Sequence, residues 1–177
     1  MRSAFGAALC ALAALSVAAC SSSSELPPGK LNCPTTFIAP GLDSYTEFRP
    51  GVTPSITNTN DIIFGVKLAT VAPQCHGEAE GVRVTTVISF VAVRNDQNLR
   101  QGDFTYFVAV ADAQQNIVAK QNFALRVDFA PRQKEMRLVD QITEHLPVKN
   151  LSLGNQYAII VGLQVSQQQL DLNRKRE

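Results

Sequence analysis

The sequence predicts an all-β domain built as two packed antiparallel sheets, and three observations carry that expectation. Apolar residues alternate with polar ones at period two through most of the chain after residue 60, in segments rich in Val, Ile, Phe and Thr, which is strand patterning and not the 3.6-residue period of a helix. Nothing between these segments has the length of a crossover helix, so neighbouring strands must run largely antiparallel. Seven or eight such strands in about 135 residues need two sheets to bury their apolar faces, the arrangement of an immunoglobulin- or fibronectin-like β-sandwich. No Trp is available for the inter-sheet packing of antibody domains, so the antibody-type topology itself is not expected.

Taken in order, Thr36 to Ala39 forms a short strand ended by Pro40-Gly41, and Tyr45 to Arg49 a second closed by Pro50-Gly51. Residues 51–60, GVTPSITNTN, are loop by composition. Ile62, Phe64, Val66 and Leu68 then alternate with Ile63, Gly65, Lys67 and Ala69, and the strand is expected to run to Cys75. The polar stretch CHGEAEG after it reads as a turn. Val84, Thr86, Ile88, Phe90 and Ala92 are the inward set of the next strand, followed by a polar loop over Asn95 to Gly102.

Phe104, Tyr106, Val108 and Val110 make the next inward set. Phe107 lies on the opposite face, so this strand is apolar on both sides and is either central and covered twice or leaves one face for a partner. A turn at Asp112 to Asn116 leads to Phe123, Leu125, Val127 and Phe129, and Met136, Leu138 and Ile142 mark a further strand. Glu144-His145-Leu146-Pro147 is expected as a loop before the last strand, which carries Tyr157, Ile159, Val161, Leu163 and Val165. Ser166-Gln167-Gln168-Gln169 fits a capping box, in which the Ser hydroxyl and the Gln side chain satisfy opposite free N–H groups. Leu170 and Leu172 are expected to pack one short helical turn back on the sandwich, ahead of a frayed, solvated tail.

The N-terminus carries the most specific signal. Arg2, an apolar run from Ala4 to Val17 and the small residues Ala18 and Ala19 form an export signal over residues 1–19. The run is shorter than the roughly 20 residues that cross a bilayer. Its end, Val17-Ala18-Ala19-Cys20, resembles the Leu-(Ala/Ser)-(Gly/Ala)-Cys processing site of bacterial lipoproteins. That resemblance implies diacylglyceryl attachment to the Cys20 thiol and a further acyl chain on its freed amine, several chains being needed for lasting attachment. Ser21, where an Asp would retain the protein in the inner membrane, implies the periplasmic face of the outer membrane. Residues 20–32, with four serines and Pro27-Pro28, read as a lipidated flexible tether, and residues 33–177 as the sandwich domain.

Loss of the signal leaves 158 residues, one domain with a tether, and as many acidic as basic residues. This neutrality gives no electrostatic case for nucleic acid. Cys33 and Cys75 are the thiols left over, and in an exported chain two such cysteines pair as a disulfide. His76 beside Cys75 falls short of a structural zinc set, so no metal or cofactor is expected.

The order Cys33-Pro34, Phe90-Val91-Ala92-Val93, Tyr106-Phe107-Val108-Ala109-Val110 and Gly162-Leu163-Gln164-Val165-Ser166, with Leu170 and Asn173-Arg174, resembles small uncharacterised proteobacterial lipoproteins. These are strand and cap residues, so the resemblance implies a fold and no catalytic residues. His76 and His145 are the only possible bases of a hydrolase, and neither stands near a Gly-x-Ser-x-Gly or HExxH spacing; no glycine-rich phosphate loop is present. The expectation is therefore a non-enzymatic, membrane-anchored lipoprotein that binds another envelope protein in assembly, secretion or maintenance. The alternative is a carrier holding an apolar ligand or lipid between the sheets, lined by Phe104, Tyr106 and Phe107.

Overall fold

A computed structural model describes residues 25–54 and 58–176. The signal at residues 1–19 and the lipidation site Cys20 lie outside the described residues. Eight strands follow one another: β1 (Thr35–Ile38), β2 (Ser44–Phe48), β3 (Ile62–Glu78), β4 (Gly81–Arg94), β5 (Gln101–Ala111), β6 (Ile117–Asp128), β7 (Glu135–Leu146) and β8 (Ala158–Leu163). They form two four-stranded sheets, ordered β1-β8-β5-β6 and β2-β3-β4-β7, and a single helix, α1 (Gln167–Arg174), ends the described chain. This is the expected all-β sandwich with a C-terminal helix. Its strand order is not the ABED and CFG order of immunoglobulin constant domains; the two-layer architecture is what they share.

The inward rows meet as the alternation dictates. Phe64, Val66 and Leu68 of β3 and Val84, Ile88, Phe90 and Ala92 of β4 face Phe104, Tyr106, Val108 and Val110 of β5 and Ile159, Val161 and Leu163 of β8, all buried. The Phe90 ring centre lies 5.2 Å from that of Phe104 and 5.1 Å from that of Tyr106, and Tyr106 stacks on Phe123 at 4.9 Å. Each such side chain contributes roughly 1.5–3 kcal/mol by leaving water, and the offset ring contacts add to it. The Tyr106 hydroxyl, carried into the core by its ring, donates to a carboxylate oxygen of Asp140 on β7 at 2.7 Å. Burial and then that carboxylate hold the phenol well above its ordinary pKa.

Several local expectations change. β3 runs through His76 to Glu78, and the turn to β4 is only Ala79-Glu80, closed by Gly81 at φ 138°, a conformation open to glycine. His145 sits in β7, paired with Arg83, and not in a loop. In both places the strands project to the end of the sandwich, where polar side chains meet solvent while the ladder bonds continue. β1 pairs with β8 in parallel, the one parallel pairing among the described strands. A 3₁₀ segment, Leu151–Gln156, stands between β7 and β8.

At α1 the Ser166 hydroxyl accepts from the Gln169 N–H at 3.2 Å, as a cap should. The Gln169 side chain does not reach back to complete the box: it donates to the Thr46 carbonyl on β2. Asn173 donates to the carbonyls of Gly41 and Ser44. Gln169 and Asn173, not the leucines, are therefore the fully buried residues of the helix, because the surface they cover is strand and loop backbone with carbonyls to satisfy.

Replacement of Phe90 by Ala empties the centre of this packing. The expected cost is about 3–5 kcal/mol, read as a lower urea midpoint at unchanged m-value; a loss below about 1 kcal/mol would mean that the ring does not organise the core.

Candidate functional site

Cys33 and Cys75 form a disulfide, with Cα atoms 5.9 Å apart and 42 residues between them in sequence. It staples the segment before β1 to the outer half of β3. That half is a sheet edge, since β2 accompanies β3 no further than Lys67. The staple is reinforced: Leu151 N–H donates to the Pro28 carbonyl at 2.9 Å, and Asn32 donates from its backbone to Leu151 and from its side chain to Ser152. Among the described residues, backbone hydrogen bonds to the domain thus begin at Pro28, inside the stretch expected to be a flexible tether. They fix where the chain enters the sandwich: at the end formed by the β3–β4 turn and residues 150–154, here called the tether pole.

Closure of this loop constrains the unfolded chain by about 4 kcal/mol in the entropic model, an upper figure. Alkylation and intact-mass analysis should find neither thiol free, and Cys33→Ser/Cys75→Ser should cost about 2–4 kcal/mol in chemical denaturation. Two alkylated cysteines in native protein would count against the pairing.

The candidate histidines lie on the outer face of the same pole. His76, Arg83 and His145 occupy one row across β3, β4 and β7. The Glu78 carboxylate serves two of them, accepting from Arg83 Nε at 2.7 Å and lying 3.3 Å from His145 Nδ1. These groups are largely in water, where such pairs contribute little. The arrangement ties the hairpin tip to β7. No group of three or more His, Cys, Asp or Glu among the described residues is placed to hold a metal.

Glu144, next to His145, points the other way. It pairs across the ladder with the buried Val84 and so shares its inward face. Burial raises its carboxyl pKa, and the nearby His145 opposes the shift only in part. With the folded pKa above the unfolded one, the neutral form is the one that the fold prefers. The associated stability is full below the unfolded pKa near 4.3 and is lost as pH rises through the folded value. Glu144→Gln should therefore raise the thermal midpoint at pH 7, with the gain vanishing below about pH 4; an equal gain at both pH values would dismiss the linkage.

The third feature is the free side of the β5 sheet. β6 pairs with β5 along its length and is the last strand in the order, so its 12 residues present an open edge. It contains no Pro, and Ile117 and Val118 are 53% and 56% exposed. On the outer face beside it Phe37, Ile160, Ala109 and Lys120 line up across β1, β8, β5 and β6; Ala109 is buried and Lys120 charged, so the exposed apolar part lies at Phe37 on the far strand. Phe107, on this outer face, is buried nonetheless: the Lys120 ammonium lies 4.3 Å above its ring. Gly162 is needed beneath it, since a Cβ there would come within 2.8 Å of the ring. β5 is thus a central strand whose outer side is partly covered by its own neighbours, with Phe37 still 39% exposed.

Of the aromatics expected to line a carrier cavity, Phe104 and Tyr106 fill the space between the sheets. A groove of about 520 Å³ touches Phe104, but it opens to solvent beside the Asp103–Arg126 ion pair, Tyr45 and Gln164.

No protein-family model, curated protein or solved structure matches this chain. The open edge of β6 was hidden in the sequence, because strand order is set by non-local pairing, and the only local sign is the apolar pair Ile117-Val118 directly after a turn.

Proposed function

We propose that this protein is a non-enzymatic lipoprotein, held by acyl chains on Cys20 at the periplasmic face of the outer membrane, that binds another envelope protein along β6. The observation that carries the choice of β6 is its unpaired 12-residue edge with the adjacent pair Ile117-Val118 exposed; β7, also 12 residues and last in the other sheet, is the rival edge, with the single exposed apolar residue Val139 at its middle. Sheet edges are often blunted by Pro, bulges or cover, because an open edge accepts another strand; β6 has one bulge, at Val118 near its start, and from Ala119 to Asp128 it runs in continuous register with β5. A partner's extended segment would gain main-chain hydrogen bonds along β6 and set alternate side chains beside those of β6 itself. The packed aromatic core favours this reading over carriage of a ligand between the sheets.

The anchor rests on Val17-Ala18-Ala19-Cys20. Its mechanical sense comes from the tether pole: with Pro28, Asn32 and Cys33 fixed there, only a short stretch of chain separates Cys20 from the body. β6 then stands at the side of a tethered body, open to neighbours in the same layer.

Two arms test the proposal. Cys20→Ser should move the protein from the membrane pellet to the soluble fraction; persistence in the pellet would remove the anchor. A photocrosslinking residue at Val118 or Asn122 should give a discrete adduct in intact cells, and one at Thr143 on β7 none. Equal adducts at the three positions, or none, would remove β6 as the binding edge.

A further inference from the structure

The end of the sandwich opposite the tether pole has a different chemistry. β4 runs from Gly81 at the tether pole to Arg94 at this far end, about 45 Å away over its 14 residues. There the β4–β5 loop and the β6–β7 loop enclose a pocket of about 420 Å³, lined by Arg94, Arg100, Arg132 and Lys134 with Asn95 and Gln97. A second pocket, of about 360 Å³, shares Arg94, Asn95, Gln97 and Lys134 with the first and adds Arg49. No carboxylate lines either one. The nearest candidate in sequence, Asp96, is 3.7 Å from Arg49. Among the described residues, none of Arg94, Arg100, Arg132 and Lys134 is ion-paired. The chain is close to neutral, so this concentration of unpaired cations is a product of folding and not of composition.

Arg94 forms the floor. It is 4% exposed, and its guanidinium donates only to neutral carbonyls, those of Leu99 at 2.6 Å, Ala130 at 3.1 Å and Gln97 at 3.3 Å, while stacking over Phe129. These contacts use three of its five N–H donors and pin the two loops together. They leave its charge uncompensated in a site partly removed from water, where charge is costly without a counter-ion.

The rim is preorganised. The Asp96 carboxylate accepts from the Asn98 N–H at 2.9 Å, and the Gln133 side chain accepts from the Ala130 N–H at 3.0 Å, so both loops are fixed turns. Arg132 is held at φ 66°, a left-handed conformation unusual for a residue with a Cβ. Such strain persists where surroundings enforce it and clusters at ligand clamps.

We propose that this pole is a binding site for a phosphate group, as a free ion or as the ester or diphosphate of a small ligand. Several cations without a carboxylate suit a dianion better than a single negative charge. The forked donors of arginine match tetrahedral oxyanions in bidentate fashion. The shared wall of the two pockets suits two linked phosphates, one over Arg100, Arg132 and Lys134 and the other over Arg49 and Lys134. The site lies far from the tether pole and from the β6 edge residues Ile117 and Val118. It does not rest on the anchor or the partner proposed above.

The test uses the full-length chain, with calorimetric titration and thermal melts at constant ionic strength. Pyrophosphate, inorganic phosphate, glucose 1-phosphate and citrate are the probes. Pyrophosphate should bind and raise the thermal midpoint, and Arg132→Ala/Lys134→Ala should weaken it at least tenfold, the scale expected for lost charge-assisted hydrogen bonds. The ligand-free midpoint of that variant should be unchanged, because both side chains are exposed. Tighter binding of glucose 1-phosphate than of inorganic phosphate would assign an ester, and the reverse the free ion. Citrate binding as tight as pyrophosphate would overturn the phosphate assignment. Absence of binding by any phosphate probe into the millimolar range, or equal binding by the variant, would overturn the site.

Discussion

Everything in this molecule is positioned by the meeting of β4 and β5. Each contributes an unbroken inward row, and the two rows close on one another through Phe90, Phe104 and Tyr106. Flanking strands attach to this pair by ladder bonds: β3 and β7 to β4, β8 and β6 to β5. A core of rings and branched aliphatics has the density of a molecular crystal, so it transmits position from one end of the sandwich to the other. The hydroxyl of Tyr106 adds one directional link between the sheets, to Asp140. The stretches that carry the candidate sites are attached to the two ends and the side of this rigid centre. Their spacing is therefore fixed even where their own segments are short loops.

How much of this could be read beforehand follows the range of the interactions. Period-two alternation is local, and it gave the inward faces of β3, β4, β5 and β6 residue by residue, from Phe64 to Val127. The Ser166 cap was legible for the same reason, since its hydroxyl bonds an N–H three residues away. The destination of the Gln169 side chain was not legible, because the Thr46 carbonyl lies more than a hundred residues earlier. His145 was misplaced in a loop because a strand reaching beyond the core loses its apolar face and keeps only its backbone ladder, which has no compositional sign. The disulfide came from counting thiols in a chain expected to be exported, not from geometry. The basic pole escaped altogether: Arg49, Arg94, Arg100, Arg132 and Lys134 come from three separate loop regions, and net charge averages them away.

The result is a body with unlike ends. One carries the disulfide, the entering chain and a small set of mutually compensated charges around Glu78. The other gathers Arg94, Arg100, Arg132 and Lys134, none of them ion-paired among the described residues, beside the Arg49–Asp96 pair. A sandwich is well suited to such division, because its loops alternate between the two ends as the strands run back and forth. The loops at one end can then vary without disturbing the disulfide and the entering chain at the other.

The parallel pairing of β1 with β8 has a consequence for how the chain acquires its shape. Thr35 sits beside Ala158 and Ile38 beside Val161, so the first strand of the domain finds its place only against the last. The β3–β4 and β5–β6 hairpins join neighbours in sequence and can form as soon as they are made. The sheet of β1 and β8 cannot, because its closure spans nearly the whole chain, and such long-range contacts are slow to form. A nascent chain can therefore form its early hairpins while the sandwich stays open along one side. The last strand is thus the element that commits the fold.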